Sequence, residues 1–212
     1  MEQALVWMIK NDRRLSEPEW EYQLHQLPGY LQRKTIQYHQ WEDRQASLFG
    51  KLLLIKGLAA LGEDPALIDT MQWDQFQKPA LAGGIAFNIS HTAGLVVCTL
   101  SKSEQTGIDV EAIKPIDISD YKRVFTEQEY QLIVRDPYPL SVFFYYWTRK
   151  EAVMKADGRG FHLDPKTFAA ISDQVEIAGH QWLIKKVSVP ANYACHLALP
   201  VDKPVAVQWL TI

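Results

Sequence analysis

IAFNISHTAGLVVCTLSKSEQTGIDVE, residues 85–111, carries the reading that decides the fold class. It holds three short strand candidates in succession: Ile85–Ile89, Leu95–Leu100 and Thr106–Val110. Apolar and branched residues build each one, and polar turn residues separate them. Upstream, a helical pattern spans Gln40 to Leu61, with Trp41, Leu48, Leu52, Ile55 and Ala59 near helical spacing. Gly62 and the polar Glu63-Asp64-Pro65 end it. Before it come a strand over Ala4–Lys10 and a helix start at Ser16, where Glu19 completes a capping box and Pro28-Gly29 marks the stop. Downstream, helices are expected from Thr126 to Val134 and from Leu140 to Asp157. Strands are expected over Phe168–Ile177, Trp182–Val189, Tyr193–Leu199 and Val205–Ile212.

No βαβ alternation is sustained, so an α+β fold is favoured over a doubly wound sheet. Helix followed by strands occurs once before residue 105 and again after it. This suggests two similar subdomains, residues 1–105 and 106–212, in one compact body, although no sequence repeat supports the division.

Composition narrows the classes. The 212 residues are 47% hydrophobic and 22% charged, which suits a globular unit and excludes a disordered chain or a disulfide miniprotein. The 22 basic and 25 acidic residues give a formal charge of -3, so charge offers no reason to propose nucleic acid or membrane binding. Apolar runs such as Leu140–Trp147 fall far short of a membrane span. Cys98 and Cys195 lie in apolar segments without zinc spacing and read as buried thiols in a reducing compartment. A soluble cytoplasmic protein is the expectation.

Three clusters carry chemistry. In Gly107-Ile108-Asp109-Val110-Glu111, residues two apart on a strand share a face, so Asp109 and Glu111 project together while Ile108 and Val110 turn to the core. Adjacent carboxylates repel unless a cation intervenes, and a hard ion such as Mg²⁺ suits them; two solvated acids at a strand end are the alternative. On a helix, Trp147, Glu151 and Lys155 line one face. Glu151 then offers a third carboxylate and Lys155 an ammonium for phosphate oxygens, or the two form an ordinary surface pair. Phe87-Asn88-Ile89-Ser90-His91-Thr92 reads as a strand ending in hydroxyls and an imidazole suited to phosphate, or as a capping turn. Lys78-Pro79 closes a loop further upstream.

The order KP, NISH, GIDVE and WTRKEAVMK (residues 147–155) closely resembles the 4′-phosphopantetheinyl transferases of the Sfp/AcpT type. Their signature is G-[IV]-D-x-E and, later in the chain, [FW]-[STC]-x-K-E-[AS]-x-x-K, matched here without a mismatch. The resemblance implies two similar α+β subdomains with coenzyme A between them. It implies Asp109, Glu111 and Glu151 as Mg²⁺ ligands, and Ser90 and His91 as contacts to the coenzyme's phosphates. Lys78 and Pro79 match a loop near the adenine, and Lys150 and Lys155 the two lysines of the second element, with Lys155 near the pyrophosphate. Relatives often carry Arg-x-Arg shortly before Gly-Arg in the first long helix. Here Arg44 and Lys51 fit, but Ala46 replaces the second arginine, which leaves the 3′-phosphate to Arg44, Lys34 or His91.

The activity so implied is transfer of phosphopantetheine from coenzyme A to a serine of an acyl or peptidyl carrier protein. Glu151 is the candidate base, with Lys155 or Lys150 at the departing phosphate. A Mg²⁺-dependent coenzyme A pyrophosphatase and a non-catalytic carrier-binding module are the competing readings. A chain of this length can build both halves of the site itself, so a monomer is expected.

Overall fold

The computed structural model describes residues 3–76, 78–102 and 105–212, the side chain of Phe161 excepted. The chain runs β1 (Ala4–Asn11), α1 (Glu17–Leu24), α2 (Gly29–Ile36), α3 (Trp41–Ala60), β2 (Gln72–Trp73), β3 (Pro79–Ala80), β4 (Ile85–Thr92) and β5 (Gly94–Lys102). It continues with β6 (Gly107–Ala112), α4 (Glu127–Arg135), α5 (Pro139–Asp157), β7 (Gln174–Ile177), β8 (His180–Lys186), β9 (Tyr193–Leu199) and β10 (Val205–Trp209). The fold is α+β, with helices packed on small, mostly antiparallel sheets.

One sheet has the order β10-β1-β5-β4 and the other β6-β9-β8-β7, while β2 and β3 form a short ribbon. Their facing sides share an apolar layer: Val6, Met8, Leu95 and Val97 from the first meet Ile108, Val110, Cys195 and Leu197 from the second. Helix α3 covers the outer face of the first sheet, where Leu48, Phe49, Leu52 and Leu58 pack with Val96, Cys98 and Leu100. Helix α5 covers the outer face of the second, where Ala152, Val153 and Ala156 meet Ile184 and Ala198. Each fully buried leucine in such a layer is worth ~1.5–3 kcal/mol of transfer free energy. Both cysteines are buried and free, as expected.

Local chemistry places most elements. Ser16 and Glu19 form the expected capping box at α1, and Thr126 with Glu129 forms another at α4. Gly158 ends α5 in the left-handed region, φ 89°. Three expectations change. Pro28 does not simply stop a helix: it is the N-cap of α2, and Gly29 is that helix's first residue. The strand expected over Phe168–Ile177 begins only at Gln174. Residues 165–172 instead turn their carbonyls to two buried cations: Pro165 and Phe168 accept from Lys150 Nζ, Ala170 and Ser172 from the Arg149 guanidinium. Finally, β10 leaves the second half of the chain and pairs in parallel with β1, Ala4 opposite Val205.

Candidate active site

Gly107 fixes the geometry on which the site depends. A Cβ there would lie 2.2 Å from the Ala152 carbonyl oxygen and 2.3 Å from the Ala156 nitrogen. Only glycine lets the α5 backbone rest directly on β6. That approach sets Glu151 and Lys155 of α5 against Asp109 and Glu111 of β6.

A cavity of about 400 Å³ opens where these elements meet β4. It is lined by Ile89, Ser90 and His91, by Asp109 and Glu111, and by Trp147, Glu151 and Lys155. Trp147, Glu151 and Lys155 share a helix face, as their spacing predicts. Lys155 Nζ sits 2.6 Å from Asp109 Oδ1 and 3.0 Å from Ser90 Oγ. Ser90 in turn donates to Asp109 Oδ1 at 3.0 Å, and Thr92 Oγ1 donates to Glu111 Oε2 at 3.1 Å. Asp109 is buried, and its Oδ2 has no hydrogen-bond partner among the described residues. Burial first, and then the Asp109 charge, push the carboxyls of Glu111 and Glu151 above their ordinary pKa.

The carboxylates Asp109, Glu111 and Glu151 are the candidate ligands for a cation. Among the described residues no three acidic, imidazole or thiol side chains converge tightly enough to enclose one as they stand. The donor set nevertheless fits a hard ion: Glu111 and Glu151, each pushed up by burial and by the Asp109 charge, and a buried Asp109 oxygen without a partner among the described residues.

The remaining expected residues lie outside this cavity. Lys78 Nζ donates to the carbonyls of Lys155 and Ala156 at 2.8 and 3.2 Å, tying its loop to the last turn of α5. Burial lowers its pKa. With Pro79 it lines a separate pocket of about 210 Å³ that also includes Phe87 and Thr106. Arg44 donates to the Tyr38 carbonyl, and Lys51 to Ser47. Burial, then the Lys34 charge, brings Lys51 down to about 8. Lys34 itself lies over the Trp73 ring at 3.3 Å. Ala46 is a core residue of α3.

Lys150 requires a correction. Expected as a catalytic candidate, it points away from the cavity, is 1% exposed and pairs with Glu129 at 3.0 Å. Neighbours on a helix diverge by about 100°, so Lys150 and Glu151 cannot both face the cavity. Its partner Glu129 escaped the sequence reading, and so did the contacts of Asn88 and Thr92 to β6, although Thr92 reads there as a hydroxyl for phosphate. The i, i+2 spacing of Asn88, Ser90 and Thr92 on one strand face was the available signal.

A family model described as the 4′-phosphopantetheinyl transferase superfamily matches residues 105–206. The chain is 31% identical over 169 residues to a 4′-phosphopantetheinyl transferase of Bacillus subtilis, covering 77% of this chain and 75% of that protein. It is 37% identical over 182 residues to the 4′-phosphopantetheinyl transferase psf-1 of Bacillus pumilus, with 80% and 76% covered.

The chain belongs to the 4′-phosphopantetheinyl transferase superfamily.

The 4′-phosphopantetheinyl transferase AcpT of Salmonella typhimurium is 33% identical over 139 residues, 63% of this chain and 67% of that protein. The 4′-phosphopantetheinyl transferase model covers β6, α4, α5 and β7 to β9, so every carboxylate lining the cavity lies inside it. Ser90 and His91 lie on the β4 side, outside that match. No helix among the described residues is long and apolar enough to cross a membrane.

Proposed function

We propose that this phosphopantetheinyl transferase moves 4′-phosphopantetheine from coenzyme A to a serine of an acyl or peptidyl carrier protein, releasing adenosine 3′,5′-bisphosphate. The serine oxygen forms a bond to the β-phosphorus as that phosphorus loses its bridging oxygen, and the serine proton passes to a carboxylate. The observation that carries the reading is the meeting of Glu151 and Lys155 with Asp109 in one open cavity. Glu151 has no hydrogen-bond partner among the described residues, and its raised pKa suits a group that must accept a proton. Lys155, with its side chain 28% exposed, would meet the departing phosphate.

Asp109, Glu111 and Glu151 would hold Mg²⁺, which when bound supplies charge neutralisation at the pyrophosphate. In its absence Lys155 supplies the positive charge at Asp109. Ser90 and His91 at the cavity wall suit the coenzyme's phosphates, and the pocket of Lys78 and Pro79 suits a flat ring. Arg44, Lys51 and Lys34 suit the 3′-phosphate, a role that needs them turned from their present partners. The ligand then lies between two halves, residues 1–105 and 106–212, with β10 reaching back to the first. One chain supplies all these groups, so the protein acts as a monomer in the cytoplasm.

The test is intact mass spectrometry of apo carrier proteins incubated with enzyme, coenzyme A and Mg²⁺. A carrier gaining the mass of phosphopantetheine supports the transferase. Coenzyme A cleavage without carrier would mean a pyrophosphatase, and neither product a binding module.

A further inference from the structure

β4 and β6 are edge strands of different sheets, and the cavity lies over the line where they meet. Among the described residues they exchange no backbone ladder. Three β4 side chains take its place. Asn88 Oδ1 accepts from the Ile108 N–H at 2.9 Å, Ser90 Oγ from the Val110 N–H at 3.3 Å, and Thr92 Oγ1 from the Ala112 N–H at 3.1 Å. The spacing is i, i+2, i+4 on both strands, so one face of β4 satisfies alternate outward N–H groups of β6.

The three acceptors are not equivalent. A hydroxyl that accepts from an N–H still has its own proton to give, whereas an amide oxygen has none. Ser90 gives its proton to Asp109 and Thr92 gives its proton to Glu111. Each hydroxyl thus ties a β6 carboxylate to the backbone of β6 one residue further on, which fixes the carboxylate's rotamer and leaves its other oxygen unclaimed by that hydroxyl. Asn88 contributes register alone. Ser90 also accepts from Lys155 and is already committed to a second task. Thr92 has no such competing contact, and its role is the one that no sequence motif assigned.

We propose that Thr92 is a positioning residue for Glu111, holding that carboxylate aimed at the cation position; this rests on the metal reading above. Glu111 binds a divalent ion at lower cost when its carboxylate is already held in the binding rotamer. The Thr92 hydroxyl supplies that hold, and the Ala112 N–H makes its direction unambiguous. Outer partners of this kind typically change metal affinity by ~10–100-fold when removed.

The experiment measures Mn²⁺ binding to the full chain by electron paramagnetic resonance, without coenzyme A or carrier. Thr92→Val keeps the shape and removes the hydroxyl, and Thr92→Ser keeps the hydroxyl. We expect Thr92→Val to weaken Mn²⁺ binding about tenfold and Thr92→Ser to stay within about twofold of wild type. Glu111→Gln alone and Glu111→Gln with Thr92→Val should bind equally, because the residue acts through the carboxylate. Thr92→Ala replaces Thr92→Val if the latter does not fold. Wild-type affinity in the hydroxyl-free variant, or the same tenfold loss repeated in the Glu111→Gln background, overturns the proposal. A wild type that transfers phosphopantetheine but takes up no Mn²⁺ overturns the metal reading and this inference with it. Mn²⁺ uptake by a wild type that modifies no carrier sinks the transferase reading alone, and the Thr92 comparison still decides this one.

Discussion

Helix α5 carries two lysine–carboxylate pairs of opposite character. Lys150 and Glu129 lie 3.0 Å apart and are 1% and 0% exposed at their side chains. Lys150 gives its remaining protons to the Pro165 and Phe168 carbonyls, both at 2.7 Å. Glu129 also accepts from Thr126 and from the Ala170 N–H. Lys155 and Asp109 lie closer, at 2.6 Å, yet Lys155 reaches the cavity and Asp109 Oδ2 has no partner among the described residues. The first pair is closed: every donor is used, and it joins α4, α5 and the turn before β7. The second is open, because an incoming phosphate or cation can take over either partner. Pairing distance does not separate the closed pair from the open one. Hydrogen-bond completion does.

The contrast can be broken from its closed side first. Lys150→Met leaves the Glu129 charge buried without its cation, which costs on the order of 3–5 kcal/mol. Urea unfolding should show a correspondingly earlier midpoint with the slope unchanged. At low temperature, where the variant is folded, transfer activity should remain within a few-fold of wild type. A folded Lys150→Met protein with no activity would return Lys150 to the catalytic machinery.

Glu151→Gln sharpens the open side. It keeps the shape of a side chain that makes no hydrogen bond among the described residues, so melting temperature should barely move. Removal of both the proton acceptor and a metal charge should lower kcat by ~10²-fold or more. Stopped assays against an apo carrier check this, and retention of a tenth of wild-type kcat would contradict the role.

The smallest effect is expected from Asp109→Asn in metal-free buffer. Loss of the Lys155 pair is offset in part by relief of repulsion with Glu111 and Glu151, and Lys155 can turn to solvent, so unfolding free energy should fall by less than in Lys150→Met. Mg²⁺ should then separate the proteins: at a hundred times its Kd an ion stabilises wild type by about 2.7 kcal/mol and the variant hardly at all. Equal responses in calorimetry would remove Asp109 from the ligand set.

Particular residues show why some features are legible in the chain and others are not. The Ser16–Glu19 box, the apolar face of α3 and the Trp147–Glu151–Lys155 face of α5 are written in local periodicity, which adjacent residues enforce by themselves. Pro28-Gly29 misleads because the same dipeptide can end one helix and open the next, and only the packing of Leu31 into the core selects the second outcome. Residues 168–173 have strand-like composition. They lose the strand because Arg149 and Lys150, distant in sequence, claim their carbonyls.

What the sequence determined by itself was the α+β class, most of the elements and two shared faces, Asp109 with Glu111 on a strand and Glu151 with Lys155 on a helix, since strand and helix periods alone place these; Ser90 and His91 were singled out by the resemblance of their motif. Tertiary structure decided the rest. The return of β10 to β1, the burial of Lys150 and the Asn88–Ser90–Thr92 seam all depend on pairings between distant segments. Local propensity carries no information about which edge a strand will meet or which carbonyl a buried cation will find. The close approach of α5 to β6 stands between the two: Gly107 is visible in the sequence, but that its missing side chain makes room for a helix backbone is visible only in the fold.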